Sequence, residues 1–359
     1  MGFLFSNSKR KLSLTFEYSF LVENAYKYAP FLSNWSQQLK WKQFYKKYPN
    51  LVEHTKPYRK PSELVHKLIS EGVDIQDESF AERIIYSHNY FRLKAYFIPF
   101  MNDDGAFKPN TNFNNIYNLY LADQKIRDFL FPIISMLEVQ MRAVIDNQIT
   151  CSTNDPFWHL DPSNFIQYEE IKTVLNKAQS RFKVGKQEFA VHHLSKYYTS
   201  KSFDFNRIPP FWVISEVFTL EQLMTFANKI DPEKFSSAGA NSLNDCAIEF
   251  GFSSYNSLKT NLQCLRALRN ICAHHSRLWN KNLQAPNAVN KHLKFKPPQN
   301  MNNRLYSYLV MLRIMCKKRG INDGIKDFFS NLMASHPIFQ EKRKSMGFPD
   351  SWEQDPLWS

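Results

Sequence analysis

The sequence predicts an all-α fold, on three observations. Only 9 glycines occur in 359 residues. β-Branched residues rarely alternate at period two. Apolar residues instead recur at steps of three and four, the repeat of a helix with one buried face. A chain of this length buries a full core, and 43% hydrophobic residues with 31 phenylalanines argue against general disorder.

Taken in order, residues 1–56 form an aromatic, lysine-rich leader with weak helical patterning through Trp35, Leu39, Phe44 and Tyr48. Pro57 and Pro61 punctuate. A helix then runs from Pro61-Ser62 to Ile69 and closes near Gly72, and Asp77 caps the next, which runs toward Tyr96. Residues 102–112 read as a polar loop, ending an N-terminal helical region over 57–112. From Phe113, the positions Ile116, Leu119, Ile126, Leu130, Ile134, Leu137, Met141 and Ile145 repeat every three or four residues. This is one long helix or two in tandem, with Pro132 at the candidate break. A loop over 155–162 precedes a helix from Tyr168 to Phe182, and a polar, loop-rich stretch reaches Pro209-Pro210. Helices are expected over Phe211–Ala227, Leu243–Phe250, Tyr255–Asn280 and Asn303–Cys316. In the tail, Trp352, Pro356 and Trp358 are candidate packing anchors.

Composition narrows the function classes. Lysine and arginine outnumber acids 46 to 33, a net charge of +13 that attracts polyanions: nucleic acid or an anionic membrane surface. A surplus spread evenly for solubility is the bland alternative. Five scattered cysteines without a C-x-x-C pair argue against a disulfide framework or zinc ribbon and for a reducing compartment. Met1–Leu14 does not read as a signal peptide. The run Tyr306–Cys316, interrupted by Arg313, is too short to span a bilayer. A cytoplasmic protein without a membrane role is expected.

The most informative segment is 261–280, NLQCLRALRNICAHHSRLWN. On a helical wheel one face gathers Leu265, Leu268, Ile271, Cys272, His275, Leu278 and Trp279. The other gathers Gln263, Arg266, Asn270, His274 and Arg277, with Arg269 at its margin. His274 is therefore expected in the open and His275 in the core, so that His275→Ala should lower the melting temperature more than His274→Ala. An imidazole moves protons near neutral pH, and a guanidinium holds phosphate oxygens and stabilises developing charge. With a ribose 2′-hydroxyl as nucleophile, neither metal nor cofactor is needed. The bare Arg-x4-His spacing is weak, since Arg83 and His88 repeat it. An ordinary surface helix is the competing reading.

RNICAHHSRLWN, Arg269 to Asn280, resembles the signature of the Abi (AbiD/AbiF-like) abortive-infection family, whose R-N-x-x-x-H core is that of HEPN ribonucleases. Asn89-Tyr90-Phe91-Arg92-Leu93 with Tyr96 is similar to the family's tyrosine-rich segment. Leu137-Glu138 to Arg142 is similar to its central E-x-x-x-R helix. Pro156-Phe157-Trp158 and Pro209-Pro210-Phe211-Trp212, followed by Glu216, resemble its two tryptophan loops. The likeness runs from about Pro57 to the end, the tail from Met346 to Trp358 included.

The resemblance implies a HEPN-type helical bundle with additional N-terminal helices, its core over 113–285, followed by C-terminal helices and tail over 286–359. It implies metal-independent RNA cleavage in phage defence through Arg269, Asn270 and His274. A structured non-coding RNA is a further partner it implies, because some AbiF-like proteins are encoded beside one. Arg83–His88 falls outside the pattern. Arg266, Arg277, Glu138, Arg142 and Arg92 are expected as RNA-binding or supporting residues. Glu138 and Arg142 orient Arg269 or His274, or else form only an exposed ion pair worth about 0.5 kcal/mol. One histidine per chain is thin for a reaction needing both an acid and a base, so a homodimer across the motif helices is expected.

Cys264, Cys272, His274 and His275 invite a metal reading, but two cysteines eight residues apart on one helix do not make a tetrahedral set. His192-His193 is read as solvated. Among Tyr86, Tyr90, Phe91, Tyr96 and Phe97 most rings are assigned to packing, with stacking on unpaired bases as the alternative. Lys40, Lys42, Lys46 and Lys47 among Trp41, Phe44, Tyr45 and Tyr48 mix cations with rings as RNA binders do. A non-catalytic RNA-binding or toxin–antitoxin scaffold is the second function class.

Overall fold

In the computed structural model, residues 42–44, 46–48, 50–52, 54–198, 208–237 and 240–359 are described. The leader reading on Trp35, Leu39, Lys40, Trp41 and Tyr45 lies outside them. The chain divides into two units, 1–64 and 65–359, and the packing below concerns the second.

The fold is all-α, as expected. Helices α1 (Pro61–Ser70), α2 (Glu78–His88) and α3 (Tyr90–Lys94) precede the long α4 (Phe113–Thr153). Helices α5 (Tyr168–Val184), α6 (Glu188–Lys196), α7 (Phe211–Ile214), α8 (Leu220–Lys229), α9 (Ser242–Ile248) and α10 (Tyr255–Ala273) follow. Helices α11 (Leu305–Lys318), α12 (Ile325–Ser335) and α13 (Pro337–Glu341) lead to the tail. The sole departure among the described residues is a minimal antiparallel ribbon, β1 (Ser236–Ser237) against β2 (Ala240–Asn241).

Helix α4 is the spine, with α3, α9, α10 and α11 packed against it. Asn112 caps it, accepting from the Asn114 N–H at 2.8 Å. Every apolar position expected along it is at most 3% exposed. Pro132 sits inside without dividing it. An interior proline costs about 3 kcal/mol, but Leu130, Ile133 and Ile134 around it are all buried, each burial being worth about 1.5–3 kcal/mol.

Elsewhere the backbone breaks where the sequence reading ran on. The helix opened by Asp77 stops at His88, because Asn89 adopts φ +66 and caps the new helix α3 by accepting from the Phe91 N–H at 2.9 Å. The expected helix 211–227 splits into α7, a 3-10 turn and α8, where Thr219 and Gln222 form a capping box. Helix α6 falls in the stretch read as loop-rich, and α12 and α13 fall among the C-terminal helices expected over 286–359 without individual bounds. His192 on α6 is exposed, as read, but His193 is half-buried, its ring 5.9 Å from Phe182 and 5.3 Å from Tyr197. Burial lowers its pKa.

The two tryptophan segments meet. The Phe211 N–H donates to the Pro156 carbonyl at 3.1 Å, and the Trp158 ring packs tilted against Phe211, centroids 4.4 Å apart, while donating to Asp146. In the tail Trp352 and Trp358 are buried, as expected of anchors, whereas Pro356 is exposed. Arg313, which interrupted the apolar run, donates to the Leu357 and Ser359 carbonyls and to Asp323.

Candidate functional site at the C-terminal end of α10

Ser254 caps the start of α10, and one face of the helix is buried through Leu258, Leu262, Leu265, Leu268, Ile271 and Cys272. The other face carries Arg266, half-buried Arg269 and exposed Asn270. The helix ends at Ala273, not at Asn280. His274 is its C-cap, and its N–H still donates to the Asn270 carbonyl at 3.0 Å. His275 follows at φ +51, its N–H on the Cys272 carbonyl at 3.1 Å, and the Ser276 N–H reaches the Ile271 carbonyl at 2.9 Å. These two bonds close a Schellman motif. It normally places glycine where His275 stands, because L-residues resist the left-handed region. The wheel assignment of His275 to the core is therefore corrected. Both histidines are exposed, since the helix that separated them on paper has already ended.

The segment that follows the turn is held from α4. Asp123 is fully buried and Arg127 is 2% exposed, and the two are ion-paired. The Asp123 carboxylate also accepts from the Leu278 N–H at 3.2 Å, the Trp279 N–H at 2.6 Å and the Tyr96 hydroxyl at 2.6 Å. Burial pushes the Asp123 carboxyl upward, and Arg127 and the other donors pull it back. Leu278 and Trp279 are thus buried from an irregular segment beyond the helix, with Trp279 packing at 5.1 Å on Phe339.

Two arginines, one from each segment, tie the turn to α3 and the residue after it. Arg92 on α3 donates to the His275 carbonyl, and Arg277 donates to the Ala95 carbonyl at 3.4 Å. Arg92 therefore supports the turn. Arg277, expected on the polar helical stripe, lies beyond the helix end. Asp123, Arg127 and Tyr96 were missed, although a signal was present: Asp123 and Arg127 stand one turn apart on the buried stripe of an apolar helix.

Glu138 on α4 sits between two cations. Its Oε1 accepts from Arg142 at 2.7 Å, and its Oε2 lies 4.0 Å from Arg269 Nε. Arg142 also reaches the Phe218 carbonyl at 3.3 Å. Glu138 and Arg142 are each 13% exposed, so the purely exposed ion pair is not what forms. Arg269 Nε is buried, yet the side chain keeps 36% exposure, which falls on the rest of the group. Arg266, a turn earlier, pairs at 3.2 Å with exposed Glu221.

Burial pushes the Cys264 and Cys272 thiols up to about 11 and about 12, so both are neutral thiols near pH 7. Among the described residues no helix is long and apolar enough to cross a membrane.

The geometry thus gathers Arg269, Asn270 and His274 at one open helix end, with Glu138 and Arg142 behind the arginine. Arg92 and Arg277 clamp the turn from the side. Searches of curated proteins and of solved structures return no match. The sequence model of the Abi-like protein family matches residues 83–280, which take in α3, the α4 spine and the whole of α10 with its terminal turn. That span is more than half of the chain, and it belongs to the Abi-like protein family.

Proposed function

We propose that the chain is a metal-independent endoribonuclease with a HEPN-type site, acting in abortive infection. The observation that carries this reading is the arrangement of three side chains at the end of α10. Asn270 and His274 are exposed one turn apart, and the part-exposed Arg269 is backed by the Glu138 carboxylate. A guanidinium with a carboxylate 4.0 Å behind its Nε is biased by that charge to present its remaining N–H groups to a phosphate in front. His274 is open to a substrate and is of the residue type that exchanges protons near neutral pH.

In the proposed reaction the 2′-hydroxyl attacks the adjacent phosphorus and gives up its proton to a base. The P–O5′ bond breaks as the leaving oxygen takes a proton from an acid. The products are a 2′,3′-cyclic phosphate and a 5′-hydroxyl. Arg269 neutralises the charge that gathers on the non-bridging oxygens. One His274 per chain fills one of the two proton-transfer roles, and a second copy of the chain supplies the other. The homodimer in this reading is the one expected across the motif helices, which brings a second His274 to the site. Family membership supports the link to phage defence, and a structured non-coding RNA is a compatible partner for a chain of net charge +13.

The test is incubation of the purified chain with labelled single-stranded RNA in EDTA, beside Arg269→Ala and His274→Ala. Cleavage that survives chelation and disappears in both variants is the expected outcome. RNA bound without products, by wild type as by the variants, favours the scaffold reading instead.

A further inference from the structure

The segment Arg83–Lys94 holds three cations, Arg83, Arg92 and Lys94, and no carboxylate. Within it Tyr86 is 81% exposed and Phe91 is 83% exposed. Of the five rings assigned mainly to packing, only Tyr96 and Phe97 are in the core, at most 2% exposed, and Tyr90 is half-buried. The expectation that most of them pack is corrected, because Tyr86 and Phe91 face outward. A single exposed ring is ordinary on a protein surface. Here there are two, one on each side of the break at Asn89 where φ is +66, and the cations that flank the pair in sequence, Arg83, Arg92 and Lys94, are exposed as well. Neither Arg83 nor Lys94 enters an ion pair among the described residues. The segment is tied to the motif turn, because Arg92, next to Phe91, donates to the His275 carbonyl.

We propose that Phe91 and Tyr86 are a stacking platform for unpaired bases that flank the phosphate held at Arg269, with Arg83 and Lys94 on the neighbouring phosphates. This rests on the nuclease reading above and names its substrate class as single-stranded RNA. The physical reason is that an exposed ring stacks on a base only when that base offers an open face, and a duplex covers both faces of every internal base. Charge complementarity favours RNA over an apolar protein partner. Three cations without a carboxylate between them suit a polyanion.

The experiment uses the full chain and 2′-O-methyl RNA, which lacks the nucleophile and cannot be cut by this route. Fluorescence anisotropy is read for a single strand and for the duplex of the same sequence. Phe91→Ala and Tyr86→Ala are each expected to weaken single-strand binding about 5-fold or more. Phe91→Trp restores it, duplex binding shifts far less, and melting temperatures stay at the wild-type value because both rings are exposed. Unchanged single-strand affinity in both alanine variants overturns the platform, as does an equal loss for single strand and duplex. Either result leaves the nuclease reading intact if unmodified RNA is still cleaved in EDTA. Single-strand binding that depends on Phe91, with no cleavage of unmodified RNA, retains the platform and removes the nuclease reading instead.

Discussion

Replacing Asp123 by asparagine tests how the motif turn is built. The carboxylate is fully buried and takes four donors: Arg127, the Tyr96 hydroxyl, and the N–H groups of Leu278 and Trp279. Asparagine keeps the shape but removes the charge, leaving the Arg127 guanidinium, 2% exposed, without its counter-ion. Breaking a buried pair from one side costs about 3–5 kcal/mol. The asparagine NH₂ also faces donors, so a buried N–H loses its acceptor for a further 1–3 kcal/mol or so. Allowing for overlap between these terms, Asp123→Asn is expected to lose about 4 kcal/mol. Arg127→Met leaves the carboxylate with three donors and is expected to cost a similar amount. The double variant Asp123→Asn/Arg127→Met is expected to be better than the sum of the two, by about 2 kcal/mol or more, because no unpaired charge remains. Urea unfolding followed by circular dichroism measures all three. Asp123→Asn within about 1 kcal/mol of wild type, or strict additivity in the double variant, refutes the claim that this pair holds the turn.

Other expectations follow from single contacts. His275→Gly removes a left-handed L-residue from a position that glycine usually fills, and is expected to raise stability by up to about 1 kcal/mol; a clear fall in melting temperature contradicts the backbone argument. His275→Ala and His274→Ala are expected to melt together, since both side chains are exposed. Burial holds the His193 pKa down, so folding favours its neutral form. The associated stability is complete above about pH 6.5 and is lost as pH falls through the lower native value. His193→Gln is expected to flatten the acid side of the melting-temperature profile between pH 7.5 and 5, and an unchanged profile excludes this. Under native conditions a thiol-alkylating reagent is expected to label Cys151 alone, because it is exposed and the other four cysteines are buried; peptide mass spectrometry reads the outcome. In the nuclease reading, Glu138→Gln lowers kcat about 10- to 100-fold through a misplaced Arg269 while KM changes little. An unchanged kcat removes Glu138 from the positioning role.

The helical architecture was legible because burial writes a period into the sequence. The positions picked on α4 are all in the core, and the Asp77 cap stands where it was read, accepting from the Phe80 N–H at 2.8 Å. Helix ends were legible only where their chemistry is local. Even local chemistry went unread at Asn89, whose positive φ stops α2 where the helix was expected to run toward Tyr96, and Ala273 ends α10 without glycine or proline. The chain beyond that end is held by a tertiary contact, a carboxylate 155 residues away in the sequence that takes up the Leu278 N–H. The same distance hid Asp123 as a site residue, while its spacing to Arg127 on a buried stripe was in plain view. The pairing of Glu138 with both Arg142 and Arg269 was half legible: the first spacing is local to one helix, the second joins two.

The chemistry itself is tested most directly by the ends of the products. A single-stranded RNA with one 2′-deoxy nucleotide at the preferred cleavage position is compared with the all-ribose strand in EDTA, and the termini are identified by mass. The account predicts cleavage of the ribose strand to a cyclic phosphate and a 5′-hydroxyl, and none at the deoxy position. Cutting at the deoxy nucleotide, or a 5′-phosphate on the product, contradicts it.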